Sequence, residues 1–362
     1  MRVALVLENG SVFYGDSIGE TREQIFELVF NTATVGYQEI LTDPAYAGQG
    51  VVMTYPLIGN YGVNSEDDQS RQPWVKALVV RHLIERGSNF RREGDLSAYL
   101  TEHHIAGIQN VDTRALTRIL RSQGVMNAMI TDAGSFSVDA CVKKLKEYRI
   151  TGAVDQVTRP RAVNFAARGG VECRLAVLDL GATDGLLDAM AERGCELEVF
   201  PARTPVETLL DDRFGGVVVT GGPGDPREEP ELIAAVKKLY DSKKPLLALG
   251  LGHELLALAT GSKVRKMHFG HRGSSQPVKD LTTGRVYITA QNHGYCVEED
   301  SIPADVAKVS LINVHDGVAE GLSYQRPGCV SLQFDPEISR DSVFTGYLFE
   351  EFLTAAKKGG DL

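Results

Sequence analysis

Pro245-Leu246-Leu247-Ala248-Leu249-Gly250-Leu251-Gly252-His253-Glu254 is the stretch on which the reading of this chain turns. An apolar run of strand length ends in a glycine-rich turn, and the apolar helical run 255–259 follows at once. A buried strand that enters a helix through one tight bend lifts the residue at the bend to the mouth of a parallel sheet. Here that residue is Gly250, which has no side chain. The bend that would present a reactive group therefore presents none.

Upstream of the bend, strand and helix patterns alternate. Residues 175–180 read as a buried strand, 184–193 as a helix closed by Gly194, and 197–200 and 216–220 as strands. A helix over 230–240 then leads into the strand 246–249. Such alternation predicts a mostly parallel sheet with helices on both faces. Further strands are expected over 285–290, 308–314 and 330–333, with a closing helix over 341–357.

Residues 1–150 read differently. Runs 3–8 and 11–14 flank Asn9-Gly10, a pair that accepts the positive φ angles of a two-residue hairpin turn. Strands are expected over 25–31, 51–55 and 75–81, and helices over 95–103, 113–122 and 138–148. Gly124 and Gly152 follow the last two helices as stop signals. Residues 151–172 contain Pro160, Gly169 and Gly170 without a clear period, so they read as a linker to a second domain over 173–362.

The chain of 362 residues has room for two cores. A net charge of −10 argues against nucleic acid as a partner, which needs a basic face. No apolar run approaches the roughly 20 residues of a membrane helix, and the start of the chain lacks signal-peptide form. The five cysteines, Cys141, Cys173, Cys195, Cys296 and Cys329, are scattered without metal-ligand spacing, as expected of reduced thiols in a cytoplasmic protein.

Several words in fixed order carry a family resemblance. In the first domain they are Phe30-Asn31-Thr32, Gly36-Tyr37-Gln38-Glu39-Ile40-Leu41-Thr42-Asp43-Pro44, Thr54-Tyr55-Pro56, Ile58-Gly59-Asn60 and Asp112-Thr113-Arg114. In the second they are Gly222-Pro223-Gly224-Asp225-Pro226, Gly252-His253, Phe269-Gly270-His271 and Gln291-Asn292-His293-Gly294. Over nearly its whole length the chain resembles the small, glutaminase subunit of carbamoyl-phosphate synthetase. The resemblance implies an N-terminal β/α small-subunit domain followed by a class I glutamine amidotransferase-like doubly wound sheet.

The family's chemistry uses a cysteine nucleophile, a histidine that shuttles protons, and a glutamate that orients it. By that resemblance Gly250 stands at the nucleophile position of a G-x-C-x-G-H-Q word, and Glu254 replaces its glutamine. Asp335 stands at the histidine position of a Q-G-H-P-E word, in Gln333-Phe334-Asp335-Pro336-Glu337, with Glu337 retained. Ala45 replaces the serine of D-P-S-Y. Gly222, Gly224, Leu251, Asn292, Gly294 and Tyr295 would be relics of the substrate pocket, with Asn292 and Gly294 after a strand end. His253 and His271 read as structural. Loss of one triad member costs roughly 10⁴–10⁶-fold in turnover, and an exposed aspartate, titrating near ~4, cannot replace an imidazole at neutral pH. Glu254 and Asp335 are expected to bring negative charge into the pocket. Cys296 lies two residues past Gly294 and reads as a packed core residue, not a substitute nucleophile.

The first expectation is therefore a small subunit without glutaminase chemistry that supports a large synthetase subunit using free ammonia. ATP and metal would be bound only by that large subunit, with no cofactor in this chain. The word Gly36 to Pro44 holds apolar and aromatic residues that a docking face could use, or that only maintain the core. Two alternatives stay open: a regulatory binding module with no synthetase partner, and a glutaminase acting by an unrecognised route. The sequence does not choose between arginine and pyrimidine synthesis.

Overall fold

A computed structural model describes residues 1–336 and 345–359 of the chain. It divides into two compact units, Met1–Ala153 and Val154–Leu362.

The first unit is built on a closed seven-stranded barrel. Around it run Arg2–Leu7, Val12–Gly19, Ala106–Gln109, Ala77–Val79, Gln49–Met53, Gln24–Asn31 and Met126–Asp132, the last pairing back onto the first. Closure leaves the barrel itself without an open edge that could pair with another chain. The N-terminal hairpin forms, but its loop has three residues rather than two. Leu7 N–H donates to Ser11 O (2.9 Å), and Gly10 alone takes positive φ (+87°). A left-handed glycine closing a three-residue loop gives the same reversal with only one positive-φ residue.

The word Gly36 to Pro44 includes the helix Tyr37–Thr42, in which Tyr37, Gln38, Ile40, Leu41 and Thr42 are buried. Tyr37 donates to Gly62 O, and Gln38 donates to Asn64 O and Asp68. These side chains build the unit's core, so the expected docking role of the word is replaced by a structural one.

In the second unit ten strands form one sheet. Its order is Val163–Phe165, Cys195–Pro201, Cys173–Asp179, Gly216–Val219, Leu246–Leu249, Cys329–Leu332, Ala319–Tyr324, Ala307–Asn313, Val264–Asp280 and Val286–Val297. The five strands from Cys195–Pro201 to Cys329–Leu332 pair in parallel. The strands beyond Cys329–Leu332, and the edge strand Val163–Phe165, pair antiparallel.

Alternate side chains of the central strands feed two cores. Ala176, Leu178, Leu246 and Ala248 pack with Leu232, Val236, Leu255 and Leu256 on one face. Leu175, Val177, Leu247 and Leu249 pack with Leu186, Leu187, Phe349 and Phe352 on the other. Burial on both faces is why these strands read as unbroken apolar runs.

Part of the stretch read as a linker is structured: it holds the helix Ala153–Val157 and the edge strand Val163–Phe165. The 17-residue strand Val264–Asp280 was not legible, because two register shifts against its partner break the period of two. The closing helix is described over Gly346–Gly359; the expected start at 341–344 lies outside the described residues.

Candidate active site

The strand Leu246–Leu249 is wholly buried between two parallel neighbours and ends at Gly250, after which Leu251–Ala259 is helical. Gly250 sits at φ +49°, ψ −113°, a conformation that side-chain-bearing residues rarely adopt. Its N–H donates to Leu332 O (2.8 Å), and its carbonyl accepts from Glu254 N–H (3.1 Å) to start the helix. The bend is therefore held from both sides, strand and helix.

Three glycines around the bend differ in what they tolerate. A Cβ at Gly252 would lie 2.5 Å from Val219 O, and one at Gly222 would lie 2.1 Å from Leu180 O. Both glycines are required by the close approach of backbone. At Gly250 a Cβ would meet only Gly221 Cα at 3.2 Å and Gln333 O at 3.9 Å. Space for a side chain exists at the bend, next to the Gly221–Gly224 loop and the segment after Cys329–Leu332.

The loop also reaches toward the strand Val286–Val297. Asp225 binds the Arg227 guanidinium (2.9 and 2.6 Å), which lies 5.6 Å over the Tyr295 ring. Leu251 and Glu254 follow Gly250 on the helix, Gly222 and Gly224 belong to the loop whose Gly221 faces it, and Tyr295 meets that loop through Arg227. Asn292 and Gly294 lie within the strand Val286–Val297, not after its end, with Asn292 opposite Arg272. A Cβ at Gly294 would come 2.9 Å from the Arg272 guanidinium, a close neighbour the sequence did not indicate. Ala45 belongs to the first unit, on the short turn Pro44–Tyr46. Asp335 is exposed, and Glu337 lies outside the described residues.

Glu254 differs from expectation. It is 3% exposed and accepts a hydrogen bond from Gln333 Nε2 (3.0 Å). Burial pushes its pKa up to about 8 against the opposing hydrogen bond, and the nearby Asp225 and Glu320 carboxylates add to the rise. Burial thus favours the neutral acid at pH 7, against the negative charge expected at this position. Gln333, two residues before Asp335, is a partner that nothing in the sequence pattern singles out.

The histidines and thiols are committed elsewhere. His253 is fully buried, with Nδ1 2.6 Å from Ser331 Oγ, and burial lowers its pKa to about 3. His271 contacts Asp316 (2.9 Å) and Glu320 (3.0 Å); burial opposes its charge, but the two carboxylates prevail and raise its pKa to about 9. Cys296 is fully buried against Met267 and Val318, and burial pushes its thiol up to about 11. That is the environment of an inert core thiol.

A model of the carbamoyl-phosphate synthase small chain, CPSase domain, matches residues 5–130, and one of class I glutamine amidotransferases matches residues 176–355. The chain is 42% identical to a carbamoyl phosphate synthase small chain of Symbiobacterium thermophilum, over 96% of each protein. The chain belongs to the carbamoyl phosphate synthase small-chain family. It is also 40% identical to a pyrimidine-specific small chain of Bacillus subtilis, covering 99% of this chain and 98% of that one. A solved glutamine amidotransferase from Thermotoga maritima covers 53% of this chain and 97% of its own, at 16% identity and a TM-score of 0.37. Among the described residues, no helix is long and apolar enough to cross a membrane.

Proposed function

We propose that this small chain no longer hydrolyses glutamine and docks a large synthetase subunit that makes carbamoyl phosphate from bicarbonate, ATP and free ammonia. ATP and its metal ion belong to that large subunit. The observation that carries the reading is the bend at Gly250. The strand-to-helix bend is retained in a strained conformation with room for a Cβ only at close approach to Gly221, yet it offers no atom to attack an amide carbon. A thioester cannot form without a sulfur at that point.

Among the described residues, the neighbours supply no replacement. Cys296 is buried with a raised pKa, His253 is held neutral on the buried face of the helix Leu251–Ala259, and an aspartate stands where the family's histidine would. Family membership across both domains supports the partner, since the first-domain model is specific to carbamoyl-phosphate synthase small chains.

Size-exclusion of the chain mixed with a large synthetase subunit tests the docking. Co-elution at micromolar concentration is expected, with ammonium-dependent carbamoyl phosphate output. Separate elution would instead favour a binding module that works without a synthetase.

A further inference from the structure

We propose that His271, His293 and Glu320 form a zinc-type metal site that joins three strands of the second unit's antiparallel half. His271 stands on Val264–Asp280, His293 on Val286–Val297 and Glu320 on Ala319–Tyr324, and all three are buried. The inference does not depend on the proposed function.

The donor spacing comes first. His271 Nδ1 lies 3.2 Å from His293 Nε2 and 3.0 Å from Glu320 Oε1, while His293 Nε2 lies 3.7 Å from Glu320 Oε2. Tetrahedral zinc with bonds of about 2.0–2.2 Å places its donors about 3.3–3.6 Å apart. The two glutamate distances are to different oxygens; with one donor atom from each residue the three lie within 4.8 Å of one another, so a small side-chain adjustment would bring them to that spacing. Gln291 Oε1, 3.3 Å from His293 Nε2, is within reach as a fourth donor.

The outer partners give the second argument. His293 Nδ1 lies 2.8 Å from Tyr295 O, so its proton sits there and Nε2 turns a lone pair inward. His271 Nε2 lies 2.9 Å from Asp316 Oδ2, which holds a proton on that nitrogen and leaves Nδ1 for the centre. Asn313 Nδ2, an N–H donor, faces both His271 Nδ1 (3.3 Å) and Glu320 Oε1 (3.4 Å), the two atoms that would turn to the ion. Metal-binding histidines characteristically have the other ring nitrogen bound to a carboxylate or backbone carbonyl in this way. Glu320 Oε2 is buried without a hydrogen-bond partner. A divalent ion would satisfy it, and with Asp316 and Glu320 ionised the group would be electrically neutral.

Such an ion would hold the short paired island His271–Gly273 with Gln291–His293, which register shifts isolate on the Val264–Asp280 side. Asn292 lies inside that island.

The competing arrangement is a metal-free one, with an imidazolium of His271 bridging Asp316 and Glu320. Calorimetric titration of chelator-dialysed full chain with zinc chloride separates the two. One ion per chain with a Kd at or below about 1 µM is expected. Glu320→Gln, which keeps size and a carbonyl oxygen, should weaken binding at least ~100-fold, and Asp316→Asn about 10–100-fold. Changing the exposed His268 on the same strand to Gln should leave binding unaltered. No binding by the unaltered chain, or undiminished binding by a folded Glu320→Gln chain, overturns the site. If Glu320→Gln does not fold, the half-exposed Asp316→Asn decides by the same criterion.

Discussion

Replacing Glu254 by glutamine should make the second unit more stable at alkaline pH, and the size of the gain can be worked from its surroundings. Glu254 is buried, and its pKa rises from 4.5 to about 8 on folding, chiefly through burial. Between those values the unfolded chain has lost the proton while the folded chain keeps it. The folded state then binds more protons, so stability falls as pH rises through this window. The rise from 4.5 to about 8, at ~1.36 kcal/mol for each tenfold change in proton affinity, sets a ceiling on the order of 5 kcal/mol. Glutamine has the same shape, can accept the hydrogen bond from Gln333, and does not titrate. The advantage of Glu254→Gln should be small near pH 5, grow toward pH 8 and level off above it. The sole tryptophan, Trp74, lies in the first unit and would report the wrong domain. Native-state hydrogen exchange of the helix Leu251–Ala259 across pH is the suitable assay. Parallel stability profiles for the two proteins, within about 0.5 kcal/mol, would show that Glu254 is not a neutral buried acid and refute the reasoning.

Four further outcomes follow from the same geometry. Ser331→Ala removes the Nδ1 partner of the buried His253 and should cost about 1–3 kcal/mol in chemical denaturation. Gly250→Ala should cost about 1–3 kcal/mol for its backbone angle, whereas Gly252→Ala, whose Cβ would meet Val219 O at 2.5 Å, should melt at a lower temperature than Gly250→Ala by calorimetry. Native thiol titration should find none of the five buried cysteines reactive and one new thiol in Gly250→Cys, with glutamine hydrolysis still at background. Restoring hydrolysis should require Asp335→His and Glu254→Gln as well, because such units are strongly non-additive.

Much of the fold was legible because the central strands are buried on both faces and the bend at Gly250 is local chemistry. The antiparallel half was not. Val264–Asp280 carries Gly270, Gly273 and Pro277, and its register shifts disrupt the alternation that marks a strand. Barrel closure was equally hidden, since the parallel pairing of Gln24–Asn31 with Gln49–Met53 depends on contacts distant in sequence. At the candidate site, the vacancy at Gly250 could be read directly, whereas the neutrality of Glu254 required its burial to be known. The His271, His293 and Glu320 group lies on three separate strands, with spacings of 22 and 27 residues that match no short metal motif.

The central claim is that nitrogen does not enter through this chain from glutamine. The most direct measurement supplies the chain and a large synthetase subunit with ATP, bicarbonate and either amide-¹⁵N-glutamine or ¹⁵N-ammonium, then follows the label into carbamoyl phosphate. Label from ammonium alone is the predicted result, whereas label from the glutamine amide, with the bend still carrying Gly250, would contradict the account.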